Sequence, residues 1–185
     1  MKPRSAGHLH VSTIKTMSHP LPNDWPLPSQ YLTELGRITT LFGSLESAVN
    51  VSISKLAGYQ GVLDWRSAVV TAHANFKQRI DILETLCHEL HDEGNYPHLK
   101  SYKKVLENIK QVQLKRNRYT HNALSFDSES GHVTSSSLSA RGKLLPRVDR
   151  VTIEELRELS AQVHLAMLSL HELITQKKYP PVWEK

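Results

Sequence analysis

The chain has a single cysteine, Cys87, in 185 residues, so it cannot close an internal disulfide, which agrees with a reducing cytosol. No apolar run approaches the roughly 18 to 20 residues that a membrane span needs. The first 28 residues also lack the apolar stretch of a signal peptide. A soluble, cytoplasmic protein with no membrane contact is the expectation. Walker loop, dinucleotide fingerprint, nucleophile elbow and zinc framework are all missing, so the familiar sequence signs of a bound nucleotide, cofactor or structural metal are missing with them. Around Cys87, the residues His88, His91 and Asp92 do have helical spacings that a metal site uses. Cys87 belongs to an apolar stripe, however, and the two histidines fall on the solvated side of the same helix. Neither metal nor cofactor is expected.

What is present is a chain sized for one domain with a sizeable core. Its apolar share of 39% lies slightly under the globular norm, which places some residues outside that core. The net charge of +5 is modest but unevenly distributed. Between Tyr96 and Asn122 stand seven basic residues, namely Lys100, Lys103, Lys104, Lys110, Lys115, Arg116 and Arg118, against one acid, Glu107. Residues 64 to 95 run the other way, with six acids and three bases. Such a split would present a phosphate-attracting surface on one helix, although a solvated helix face accounts for the same charges.

Residues 1 to 28 carry Pro3, Pro20, Pro22, Pro26 and Pro28 and show no periodicity, so they read as a tail. A helical domain is expected over 29 to 178, followed by a short C-terminal tail from 179 to 185. Ser29 is placed to cap a long first helix that runs to Gly58. Asp64 can cap a second, whose stripe continues through Ala68, Val69, Ala72, Phe76, Ile80, Leu83, Cys87 and Leu90. A third helix extends from about Pro97 to Asn122 and becomes polar on its core face at the end. Residues 123 to 150 read as an irregular loop or small hairpin. Thr152 and Glu155 form a capping box for the last helix. The fold class is therefore all-α, a four- to five-helix up-and-down bundle.

The segment Arg116-Asn117-Arg118-Tyr119-Thr120-His121-Asn122, at the end of the third helix, is where chemistry explains the residues more simply than packing. Arg116 brings a permanent planar cation suited to phosphate, His121 a base near neutral pH, and Asn117 an uncharged donor and acceptor. On an ideal helix Asn117 and His121 lie only about 40° apart, whereas Arg116 and His121 lie about 140° apart. Either the helix distorts, or Arg116 curls around, or Arg116 completes a site with a second copy of the chain. An ion pair from Arg116 to Glu46 and a helix-end role for His121 are the purely structural alternatives.

An Arg and a His separated by four residues, the first of them polar, late in a helix of such a bundle, resembles the HEPN superfamily. The stretch Asn75 to Leu86 and the Gly43-Ser44-Leu45-Glu46 turn of the first helix are similar to small stand-alone HEPN-type proteins. The resemblance covers about residues 30 to 178, with Arg116, Asn117 and His121 as its specific part. It implies a metal-independent endoribonuclease of toxin or defence type, leaving 2′,3′-cyclic phosphate and 5′-hydroxyl ends. It also implies a homodimer through the third helix in which Arg116 and His121 of both copies line one cleft. Lys103, Lys104, Lys110, Lys115 and Arg118 would then hold RNA. Two other readings stay open: a non-catalytic module binding RNA or protein, and a toxin-antitoxin component modified at Tyr119 by a partner nucleotidyltransferase.

Overall fold

Ile38, Phe42, Leu45, Val49 and Ile53 recur at intervals of three and four residues and are each at most 2% exposed. That spacing puts them on one face of a 28-residue helix, α1 (Ser29–Leu56). Pro28, not Ser29, stands at its N-cap, and the Pro28 carbonyl accepts the first helical N–H groups, from Tyr31 at 2.9 Å and Leu32 at 3.3 Å. Gly58, at φ +78°, ends the run in a conformation that a side chain would strain. The computed structural model describes residues 26–59, 65–139 and 144–184. Nearly all of the expected N-terminal tail, Trp25, and the connector beyond residue 59 lie outside the described residues.

The expected second helix is two helices, α2 (Trp65–Thr71) and α3 (Phe76–Asp92). The reason is local: Asn75 accepts the Gln78 N–H at 3.0 Å, while the Gln78 side chain accepts the Asn75 N–H at 2.8 Å. This reciprocal pair starts a new helix in the middle of an apolar run. Val69 and Val70 of α2 are 65% and 58% exposed, so the buried stripe belongs to α3 alone, through Phe76, Ile80, Leu83 and Cys87. A 3-10 turn (Pro97–Ser101) leads into α4 (Tyr102–Thr120).

The all-α expectation fails between α4 and the last helix. There the chain forms a three-stranded antiparallel sheet, β1 (Ala123–Asp127), β2 (His132–Ser139) and β3 (Leu145–Val151), in the order β1-β2-β3. Phe126 pairs with Val133, and Val133 in turn with Val151, so one face of the sheet turns apolar residues to the core. Val133 and Val151 are 0% and 1% exposed. Helix α5 (Ile153–Thr175) follows at once, capped by Thr152 and Glu155 as the sequence predicts.

Four long helices form a ring in which α1 packs on α5 and α3, and α4 on α3 and α5. Their directions depart from up-and-down alternation. Tyr31 donates to the Val151 carbonyl at 3.1 Å and Glu34 meets Arg157, so the starts of α1 and α5 lie together and these neighbours run parallel. Helix α4 opposes both its neighbours, since Lys115 bonds Gln162 of α5 and Lys110 bonds Glu84 of α3, while Tyr102 reaches back to His88. The return from the far end of α1 is made by the segment containing α2. This arrangement brings the C-terminal end of α4 to the sheet, beside the starts of α1 and α5.

Candidate functional site

Along α4, Tyr102, Leu106, Ile109 and Val112 form the buried stripe, and the next positions on that stripe are Arg116 and Tyr119. A cation therefore occupies a place where the pattern calls for an apolar residue. The Arg116 guanidinium carbon lies 4.8 Å from the centre of the Phe42 ring, which itself packs 5.0 Å from the Phe76 ring. The arginine thus sits where α1, the start of α3 and α4 meet. Its Nη1 donates to Asn117 Oδ1 at 3.1 Å, and its Nε is buried without a hydrogen-bond partner among the described residues. No ion pair joins it to Glu46 or to any other described carboxylate. Arg37, Arg118, Arg147 and Arg157, by contrast, each have one.

His121 is the C-cap of α4 and is exposed, with its backbone N–H bonded to the Asn117 carbonyl at 3.0 Å. Asn117 consequently joins the two: its side chain holds Arg116 and its main chain holds His121. No hydrogen bond links Arg116 to His121 directly. Of the geometric options open at the sequence level, the arginine turns inward onto Phe42 while the histidine faces solvent, and one chain does not assemble both at a single point.

The surroundings fix this segment tightly. Thr120 Oγ1 donates back to the Arg116 carbonyl at 3.2 Å, and Asn122 Nδ2 donates to Ser135 Oγ of β2 at 3.3 Å. Arg118 pairs with Asp149 of β3 at 3.1 Å. Tyr119, the candidate modification site, is only 8% exposed and lines a cavity of about 220 Å³ between α4 and α5, along with Lys115, Arg118, Glu155 and Glu158. Burial, helped by the nearby Glu155 carboxylate, pushes its hydroxyl above the usual phenol range.

The basic residues of α4 fall into two groups. Lys103 and Lys110 lie about 20° apart on the side toward α3, whereas Lys104, Lys115 and Arg118 lie within about 60° on the side toward α5. Lys110 is neutralised by Glu84 at 2.6 Å, a bond that raises its pKa, and Arg118 by Asp149. Lys115 hydrogen-bonds Gln162. Cys87, in the apolar stripe of α3, is fully buried, and its thiol is pushed up to about 12 by burial with Glu84 adding to the effect. His88 turns to Asp92 at 2.7 Å. Sequence reasoning missed Phe42 as the platform for Arg116 and Asp149 as the partner of Arg118. Phe42 is recognisable as core from its spacing, but nothing local marks which residue of a distant helix will cover it.

No protein-family model matches the chain, and comparisons with curated proteins and with solved structures find no match either.

Proposed function

We propose that the chain is a HEPN-like, metal-independent endoribonuclease that works as a homodimer with Arg116, Asn117 and His121 as its site. The observation that carries this reading is the half-buried Arg116 with no carboxylate partner among the described residues. An uncompensated guanidinium on a core stripe costs stability, and an apolar residue there would cost none, which is what a site kept for its chemistry looks like. The RNA phosphodiester supplies the anion that the fold withholds.

In this mechanism the His121 imidazole removes the proton from a ribose 2′-hydroxyl, and the freed oxygen attacks the adjacent phosphorus. Arg116 stabilises the charge on the five-coordinate phosphate, with Asn117 setting the guanidinium plane. The bond to the 5′-oxygen breaks, that oxygen takes up the proton that His121 had removed, and a 2′,3′-cyclic phosphate remains. Because Arg116 faces inward and His121 outward in one chain, two copies related by a two-fold axis supply the pairing that one copy lacks. Lys104 and Lys115, on the α5 side of α4, are the cations with no carboxylate partner that guide RNA to it, with Lys103 on the other side.

The test is cleavage of a single-stranded RNA in excess EDTA, with product ends identified by mass spectrometry. Cyclic phosphate ends from the wild type and none from His121→Ala support the proposal. Equal cleavage by both overturns it. Salt-sensitive RNA binding that survives Arg116→Ala and His121→Ala without any cleavage selects a non-catalytic binding module instead.

A further inference from the structure

On the side of the bundle between α1 and α5, away from the α4 face, lies a second feature that the ribonuclease reading does not use. It is a cavity of about 260 Å³, walled by Leu41 of α1, Ala161 of α5, and Val182 and Trp183 of the C-terminal segment. That segment returns along α5: the Val182 N–H donates to His164 Nε2 at 3.3 Å, and the Trp183 ring meets the His164 ring edge-on at 5.2 Å. His164 is 6% exposed, so the segment closes over a histidine that would otherwise face water.

The polar groups at this cavity are arranged for a ligand. Glu34, 5% exposed, receives Arg37 Nη1 on one carboxylate oxygen at 2.6 Å and Arg157 Nε on the other at 3.4 Å. One carboxylate thus orients two arginines that line the cavity, leaving one positive charge in excess among the described residues there and guanidinium N–H groups that make no other hydrogen bond to a described residue. Ser160, also on the wall, is 6% exposed, and its hydroxyl is buried with no hydrogen-bond partner.

We infer that this cavity binds a small organic monoanion with an apolar body, its carboxylate or equivalent acid group on Arg37 and Arg157 and its body against Leu41, Ala161 and Trp183. The volume, at the low end for ligand pockets, limits the occupant to a molecule of about a dozen heavy atoms. The excess of one cation fixes the sign and size of the ligand charge.

Calorimetric titration of the full chain with 3-phenylpropanoate and with its neutral isostere 3-phenylpropanamide tests this. The acid is expected to bind at one site per chain, at least about tenfold more tightly than the amide, since a charge-assisted bond to guanidinium is at stake. Arg157→Gln, at a largely exposed side chain, is expected to erase that preference. Ala161→Met fills the cavity without touching any charge and is expected to abolish binding of both compounds. Failure of the acid to bind at millimolar concentration, equal binding of acid and amide, or acid binding unchanged in Ala161→Met overturns the inference.

Discussion

The guanidinium carbon of Arg116 lies 4.8 Å over the ring of Phe42, a core residue only 2% exposed, and no described carboxylate pairs with it. This contact sets the function of α4 against its packing, and the two can be measured separately.

Replacing Arg116 by Met keeps the length of the side chain and removes the charge. Stability in urea is expected to stay within about 1 kcal/mol of wild type or to rise, as it does where an apolar side chain replaces a half-buried charge. RNA cleavage is expected to vanish. A loss of more than about 2 kcal/mol would show that the arginine is there to hold the fold.

His121 caps the end of α4 in the open, so His121→Ala is expected to leave the unfolding midpoint unchanged while lowering cleavage by a factor of about 10² or more. The proposed shared site adds a sharper outcome. Arg116→Ala and His121→Ala are each inactive alone, and mixing them in equal amounts is expected to restore at most about a quarter of wild-type activity through mixed dimers. A mixture as dead as its components places both residues of each site in one copy.

The capping boxes at Asn75 and Thr152 begin separate helices, so their contributions are independent. Asn75→Ala and Thr152→Ala are each expected to cost about 1 kcal/mol, and the double variant the sum of the two, in chemical unfolding. A clear excess over the sum would mean that α3 and α5 unfold as one unit coupled through these ends.

Cys87 gives an alkaline signature. Its thiol is held up to about 12 in the folded chain against an ordinary value of 9.0, so the folded state keeps its proton over a range where the unfolded chain loses it. The contribution is complete below 9.0 and is lost as pH climbs from there toward 12. Cys87→Ala is expected to show a shallower fall in stability over that range, although less stable at neutral pH because of the space left behind. The same burial makes the native thiol slow toward iodoacetamide, with labelling that follows unfolding.

How far the fold can be read from the chain depends on how far apart the determining residues are. Thr152 and Glu155 specify the start of α5 within four residues, and the spacing from Ile38 to Ile53 specifies the buried face of α1. The break before α3 is equally local, but the Asn75 and Gln78 pair lies inside a run that reads as a continuous stripe from Ala68 to Leu90, and the stronger signal hides it. The sheet is obscured for a different reason: β2 contains Ser135, Ser136 and Ser137, so beyond Val133 its inward positions are not marked by apolar residues, although Ser135 is buried. The parallel course of α1 and α5 rests on Tyr31 with Val151 and Glu34 with Arg157, more than a hundred residues apart. Within the candidate site, residue types and spacing were legible, and the inward turn of Arg116 onto Phe42 was not, because it depends on which helix arrives opposite.

The parallel run of α1 and α5, with α4 opposed, has an electrostatic outcome as well. Peptide dipoles leave roughly half a positive charge at each helix start and half a negative charge at each helix end. Helix α3, which α4 also opposes, runs the same way as α1 and α5, so three helix starts point toward the sheet end and only the end of α4 opposes them, and their fields do not cancel as they would in an alternating bundle. The main chain itself therefore leaves a surplus of positive charge toward the pole where His121 emerges, before any side chain is counted. A polyanion approaching that pole is drawn by the backbone, and added salt weakens the attraction.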